Sequence, residues 1–207
     1  NRLAFGSALQ RRRSVRRFAP RAVPAERLQL ALQAGATAPS PHGTRPWRFC
    51  IVESPSARQR LAHAMGEDFL RDMQAEGEPE DVRRRRHAGS IRLLTGAPAL
   101  ILASLSYADL DHYDDPVKQA REHLMAEHSL GGALQNVMTA LAVMDIGSVW
   151  RCAPLSCTET ARRPLALPVA ARRSRGLLPY GLVVAALVAA RGRGGGARSD
   201  ALARAAG

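Results

Sequence analysis

Lysine is almost missing from this chain. Of its 30 basic residues only Lys118 is a lysine, so the net charge of +12 rests on arginine. Usage this lopsided points to a GC-rich coding sequence more than to a surface selected for nucleic acid. The charge is also uneven. Residues 161–207 hold nine arginines against one acid, Asp200, which leaves residues 1–160 near balance. A nucleic-acid interface needs cations gathered on one face and a recognisable reading motif. Neither is visible, so no specific nucleic-acid partner is expected.

Cysteine is scarce too. Cys50, Cys152 and Cys157 are odd in number and contain no C-x-x-C pair, which excludes a disulfide framework and a paired-cysteine zinc site. No metal is expected, because His123 and His128 also lack the i, i+4 spacing of helical zinc ligands. Long apolar runs are absent as well. The longest, from Leu182 to Ala190, is about half of what a bilayer span requires. With no signal peptide visible, the expected setting is a reducing cytoplasm with no membrane partner. Aromatic residues make up only 4%, so the core must rest on Leu, Ala, Val, Ile and Met. There is no internal repeat and no G-x-G-x-x-G nucleotide fingerprint.

What is present alternates between helical and strand patterns. A short helix is predicted over Leu3 to Arg11 and a second after Val23-Pro24, where proline suits the first helical position. Three prolines and a glycine make 38–46 a loop, followed by a strand from Trp47 to Val52. Leu61, Met65, Phe69 and Met73 recur every four residues in a helix over 56–75. An arginine-rich helix then runs to about Leu94, its Arg83–Arg86 mostly solvated. The apolar run 98–105 is a buried strand. The longest helix runs from about Pro116 to Asp145, where the pair Gly131-Gly132 is expected to mark close helix packing. Gly147 to Cys152 reads as a strand, Ser156 and Glu159 as a capping box, and Leu182 to Ala189 as a last strand. Residues 1–168 are assigned to the main domain, 169–190 to its atypical final strand region and 191–207 to a disordered tail.

Two segments carry candidate chemistry. In Arg12-Arg13-Ser14-Val15-Arg16-Arg17-Phe18, an extended backbone sends Arg12, Ser14 and Arg16 to one side and Arg13 to the other. Guanidinium forks suit a phosphate. The second segment, Ala38-Pro39-Ser40-Pro41-His42-Gly43-Thr44-Arg45-Pro46-Trp47, is a proline-stiffened loop ahead of a strand, rich in donors. A third, Gly147-Ser148-Val149-Trp150, puts a glycine where backbone can approach a planar ligand.

In this order and spacing the first two segments resemble the nitroreductase family pattern R-[RH]-S-x-[RK]-x-F, a helix, then A-P-S-x-x-N-x-Q-P-W. Gly43 and Arg45 depart from it, replacing Asn and Gln. The variant P-H-x-T-R-P is similar to one subgroup, the carboxy-terminal reductase domain of coenzyme F420 gamma-glutamyl ligase. The resemblance implies an α+β fold with a central mixed sheet flanked by helices, and an interlocked homodimer with FMN at the interface. It implies that Arg12, Arg13, Ser14, Arg16, Pro39, Ser40, Gly147 and Ser148 bind FMN, with a backbone N–H of the 147–148 segment near flavin N5. His42 and Arg45 would then meet a small anionic substrate. The flavin itself carries the hydride, so no catalytic side chain is expected. The implied activity is FMN-dependent reduction of an organic acceptor by a reduced nicotinamide or deazaflavin. The favoured acceptor is the alkene of dehydro-F420-0, in coenzyme F420 biosynthesis. The alternatives are a broad nitro- or quinone reductase and a flavin-binding protein without turnover.

Overall fold

The computed structural model describes residues 6, 7, 9, 10, 12–163 and 180–190 of the chain. Residues 6, 7, 9 and 10 are helical, and residues 12–18 form an extended arm. Helix α1 (Ala25–Gly35) follows Pro24, and a single 3₁₀ turn (Pro41–Gly43) leads into β1 (Trp47–Val52). Next come α2 (Pro55–Ala75), α3 (Glu80–Gly96), β2 (Ala99–Ser106) and α4 (Pro116–Val143). Strand β3 (Ile146–Arg151), a 3₁₀ turn (Ala153–Leu155), α5 (Thr158–Arg162) and β4 (Tyr180–Ala190) complete the described chain.

Local chemistry explains the helix starts. The Ser54 hydroxyl accepts from Ala57 N ahead of Pro55, and the Asp115 carboxylate accepts from Val117 N at 2.8 Å ahead of Pro116. Each satisfies a backbone donor that the first turn leaves open, while proline fills a position needing none. The expected capping box does not form. Cys157, not Ser156, precedes α5, and the Ser156 hydroxyl donates instead to Ala153 O.

The strands are ordered β1-β2-β4-β3, every ladder antiparallel. A parallel bridge from Ser14 to Ser148 adds the amino-terminal arm to the β3 edge and makes the sheet mixed. Strand β4, from the Ala-rich end of the sequence, lies inside the sheet between β2 and β3. Residues 191–207, expected to form a disordered tail, lie outside the described residues.

Strand β2 shows why both sheet faces are covered. Ile101, Ala103 and Leu105 pack with Leu28 and Ala31 of α1 and with Leu130, Leu134 and Val137 of α4. Leu100 and Leu102 point the other way, to Leu61, Ala62 and Met65 of α2, Leu94 of α3 and Ala161 of α5. The result is three layers, with period-2 alternation feeding two cores. Arg58 is buried beneath the second core. It donates to the carbonyls of Glu53 and Pro98, tying the start of α2 to β2.

The glycine pair in α4 does not mark a tight approach. A methyl on Gly131 would lie 3.8 Å from Trp150 Cη2, and one on Gly132 3.9 Å from Ala38 Cβ, both ordinary contacts. The tight positions are Gly35, Gly66 and Gly147, where an added methyl would meet a neighbour within 3.0 Å.

Candidate active site

The arm and the 147–148 segment meet. Val15 N donates to Ser148 O at 3.0 Å, Ser14 bridges Ser148, and Val15 covers Gly147 at a distance no side chain would permit. Six predicted cofactor residues, Arg12, Arg13, Ser14, Arg16, Gly147 and Ser148, therefore share one corner of the sheet. Ser148 is buried, whereas Arg13, Ser14 and Arg16 are exposed. Arg13 donates to the carbonyls of Gln10 and Arg12, and Arg16 to that of Ser14 at 3.3 Å. Among the described residues no carboxylate pairs with Arg12, Arg13 or Arg16, and the ion pairs of the chain lie elsewhere. A cluster of guanidinium groups without acids, fixed on a sheet edge, fits an anionic group such as a phosphate.

The 39–46 turn is a second corner. His42 (φ 52°), Gly43 (φ 68°) and Arg45 (φ 47°) all adopt left-handed backbone. For His42 and Arg45 this costs of order 1 kcal/mol each. Hydrogen bonds hold the turn there. Ser40 Oγ accepts from Arg45 N at 2.9 Å, Thr44 Oγ1 donates to Pro41 O at 3.0 Å, and Ser106 N donates to Pro46 O at 2.7 Å. Ser40, predicted as a cofactor contact, thus uses its oxygen to position Arg45. Pro39 is exposed beside it.

Sequence reading missed the acids that hold this turn. His42 Nε2 lies 3.5 Å from Asp111 Oδ2, and Arg48 Nη2 lies 3.3 Å from Asp109 Oδ2. Arg48 also donates to the carbonyls of Arg45 and Trp47. The loop carrying both aspartates is anchored to α4. Gln119 Oε1 accepts from Tyr113 N at 2.9 Å, Gln119 Nε2 lies 3.0 Å from His123 Nε2, and the His123 ring stacks on Tyr107 at 4.3 Å. Burial, and then the charge of Glu127, raises the Tyr107 phenol above its ordinary range. A run of Asp in a loop gives no local signal of which distant cation it will meet. Arg45 itself is exposed and has no acid partner among the described residues.

The two corners are far apart in one chain. Counting registers, Trp47 lies about seven residues along the strands from the level of Gly147, and β1 and β3 are opposite edges of the sheet. At roughly 3.4 Å per residue and 4.8 Å per strand, they stand about 28 Å apart. Among the described residues no hydrogen bond joins residues 12–16 to residues 39–45.

Three of the α3 arginines are neutralised locally. Arg84 pairs with Glu80, Arg85 with Asp81 and Arg86 with Glu78. No described cluster of His, Cys, Asp or Glu could hold a metal, and no described helix is long and apolar enough to cross a membrane.

Known proteins are similar to this chain. An iodotyrosine deiodinase from Drosophila melanogaster is 28% identical over 162 residues, covering 76% of this chain and 55% of the relative. The chain spans about half the length of that relative. Two solved structures have the same fold. A BluB-like flavoprotein from Clostridium difficile 630 has a TM-score of 0.72 at 19% identity, covering 94% of this chain and 93% of its own. A nitroreductase with bound FMN from Bacteroides fragilis NCTC 9343 has a TM-score of 0.72 at 18% identity, covering 98% and 96%. The Nitroreductase family pattern matches residues 9–181, including the arm, the 39–46 turn and the β3 edge, and the chain belongs to that family.

Proposed function

We propose that the chain is an FMN-dependent oxidoreductase that works as a homodimer. The observation that carries this reading is the Val15–Ser148 backbone bond, which sets unpaired guanidinium groups and a glycine-containing strand edge at one corner. Bound FMN would supply the hydride chemistry, accepting two electrons from a reduced nicotinamide or deazaflavin and passing them to an organic acceptor. Arg12, Arg13 and Arg16 hold the phosphate. Backbone at Gly147 and Ser148 would face the ring, and its N–H dipole would favour the reduced, anionic form. The fixed dipoles and cations tune the cofactor without any acid–base side chain. Structures with FMN among the relatives of this fold support the cofactor choice.

The distance between corners supports the homodimer. A ligand gripped by the arm does not reach the 39–46 turn of its own chain, whereas a second copy can bring its turn to that corner. Helix α4 offers the face for it. Val117, Arg121, Leu124, Met125, His128, Gly132, Gln135 and Val143 lie within one exposed stripe along its 28 residues. Val117, Leu124, Met125 and Val143 are 40–55% exposed, an unusual concentration of large apolar groups on one helix. A methyl added to Gly132, on this stripe, would lie 3.9 Å from Ala38 Cβ, at the start of the turn. Sedimentation should show a dimer in wild type. Leu124→Asp should give a monomer that has lost most of its flavin; a flavin-loaded Leu124→Asp monomer would contradict the shared site.

For the acceptor, the P-H-G-T-R-P variant and the unpaired Arg45 favour an anionic alkene of the dehydro-F420-0 type, in the cytoplasm, over a broad nitro- or quinone acceptor. The purified protein should be yellow, bleach with a reduced donor under anaerobic conditions, and recover colour on adding acceptor. Arg16→Ala should weaken FMN about 10-fold in a fluorescence titration, the weight of one charge-assisted contact. A colourless protein that cannot be loaded with FMN would defeat the whole reading. Bleaching without reoxidation by any acceptor would leave a flavin-binding protein without turnover. Reoxidation by quinones alone would replace the alkene with the broad activity.

A further inference from the structure

Away from both corners, a small cleft lies between α2, α3 and the end of β3. Its volume is about 40 Å³, and its walls include Asp68 and Phe69 of α2, Ser90 of α3, Arg151, Ser156 and Cys157. At about 10–15 Å³ per water-sized probe, it holds roughly three such groups.

Arg151 is the unusual wall. It is half-buried, and no hydrogen bond or ion pair joins it to another described residue. A guanidinium does not shed its charge, so partial burial without a partner costs solvation that nothing on this chain returns. The carboxylate that shares the cleft wall, Asp68, is already paired. It is 15% exposed and meets Arg71 on the next turn of α2. Arg151 is therefore left without an acid of its own on the cleft wall.

The remaining polar groups define what that charge can hold. The Ser90 hydroxyl makes no described hydrogen bond and is free to donate. Ser156 Oγ and Cys157 Sγ both donate to Ala153 O, at 2.9 and 3.5 Å. Burial and the charge of Asp72 raise the Cys157 thiol, which stays protonated and does not compete as an anion. Phe69 and Met65 close the apolar side. A planar fork, one hydroxyl donor and an apolar wall in a volume of three water-sized groups fit a flat anion of three or four heavy atoms. A tetrahedral dianion is too large for this cleft.

We infer that this cleft is a binding site for a small monovalent oxyanion of the formate or bicarbonate type, held by Arg151 and Ser90. Occupied, it would tie the end of β3 to α2 and α3. The site stands about 13 Å along β3 from Gly147, and the inference does not rest on the flavin reading.

The test is thermal unfolding of the FMN-loaded protein in sodium formate, compared with Arg151→Met at the same concentrations so that general salt effects cancel. Wild type should show a saturable rise in Tm, about 3–6 °C at tenfold the dissociation constant. Arg151→Met should lack the saturable part and keep its flavin absorbance. Arg151→Lys, which keeps the charge but not the fork, and Ser90→Ala should each shift the midpoint to several-fold higher formate. Should Arg151→Met fail to fold, the Arg151→Lys and Ser90→Ala curves decide the matter. Superimposable salt curves for wild type and the folded variants, or no saturable component in wild type, would overturn the inference.

Discussion

Replacing Gly147 by alanine should lower FMN affinity about 100-fold while leaving most of the fold intact. The added methyl would sit 2.9, 3.1 and 3.2 Å from Val15 Cγ2, Cβ and Cγ1. All three atoms belong to a β-branched residue with little rotamer freedom, so no flexible end can swing aside. Something must move, and the arm is the part least held. Its described link to the sheet is the Ser14–Ser148 bridge with the Val15–Ser148 bond. Overpacking of this kind costs 1–3 kcal/mol, and releasing the arm avoids that cost at the expense of the corner. Arg12, Arg13 and Arg16 would then have to be ordered by the ligand. A loss of about 2.7 kcal/mol in binding corresponds to 100-fold. Fluorescence titration with FMN measures this, and urea unfolding checks that stability has changed little. Combining Gly147→Ala with Val15→Ala restores the space and should recover most of the affinity. If Gly147→Ala binds FMN as wild type does, the corner is not the flavin site.

Much of the secondary structure was legible because single residues signal it locally. The strand over Trp47–Val52 agrees to the residue, and those at 99–106 and 146–151 within one or two. Ser54, Asp115 and the prolines after them mark helix starts without reference to anything distant. Assembly was not legible. Nothing in an Ala-rich run such as 180–190 says that it slots between β2 and β3, since strand order depends on which partner edge is free when the sheet closes. The same limit applies to the site. The motif residues Ser14 and Gly147–Ser148 were identified by type, yet their contact is a tertiary event. The bond that Ser40 Oγ accepts from Arg45 N is not legible either, because a turn with three left-handed residues is not readable from Pro-His-Gly-Thr-Arg. The salt links of Asp109 and Asp111 span 61 and 69 residues and depend on where β1 and β2 leave their loops.

Glycine placement shows the same division and leads to the largest stability effect expected. The paired glycines of α4 drew attention in the sequence, whereas Gly35, alone at the end of α1, is the one under pressure. Its conformation does not require glycine. The residue after it, Ala36, caps the helix with right-handed backbone at φ −66°, ψ −11°, and Gly35 is not among the positions with positive φ. Space is the reason. A methyl there would lie 2.6 Å from Val137 Cγ2 and 3.2 Å from Ala133 O, with Phe49 at 3.5 Å. Val137 is fully buried and rotamerically stiff, and a helix carbonyl cannot step aside. Gly35→Val would therefore push α1 off α4 and loosen Leu28 and Ala31, both fully buried between them. We expect a loss of about 3 kcal/mol, the upper end for overpacking, and a fall in Tm of roughly 6–12 °C. The small gain from removing a glycine from a helix, about 1 kcal/mol at most, does not offset it. Val137→Ala introduced alongside should return at least ~1 kcal/mol as a coupling energy in a double-mutant cycle by urea unfolding. A Gly35→Val protein within 1 kcal/mol of wild type would mean that α1 and α4 are not in the close contact seen here. The turn that follows α1 at Ala38 would then lose its fixed distance from the α4 face proposed above for the partner subunit.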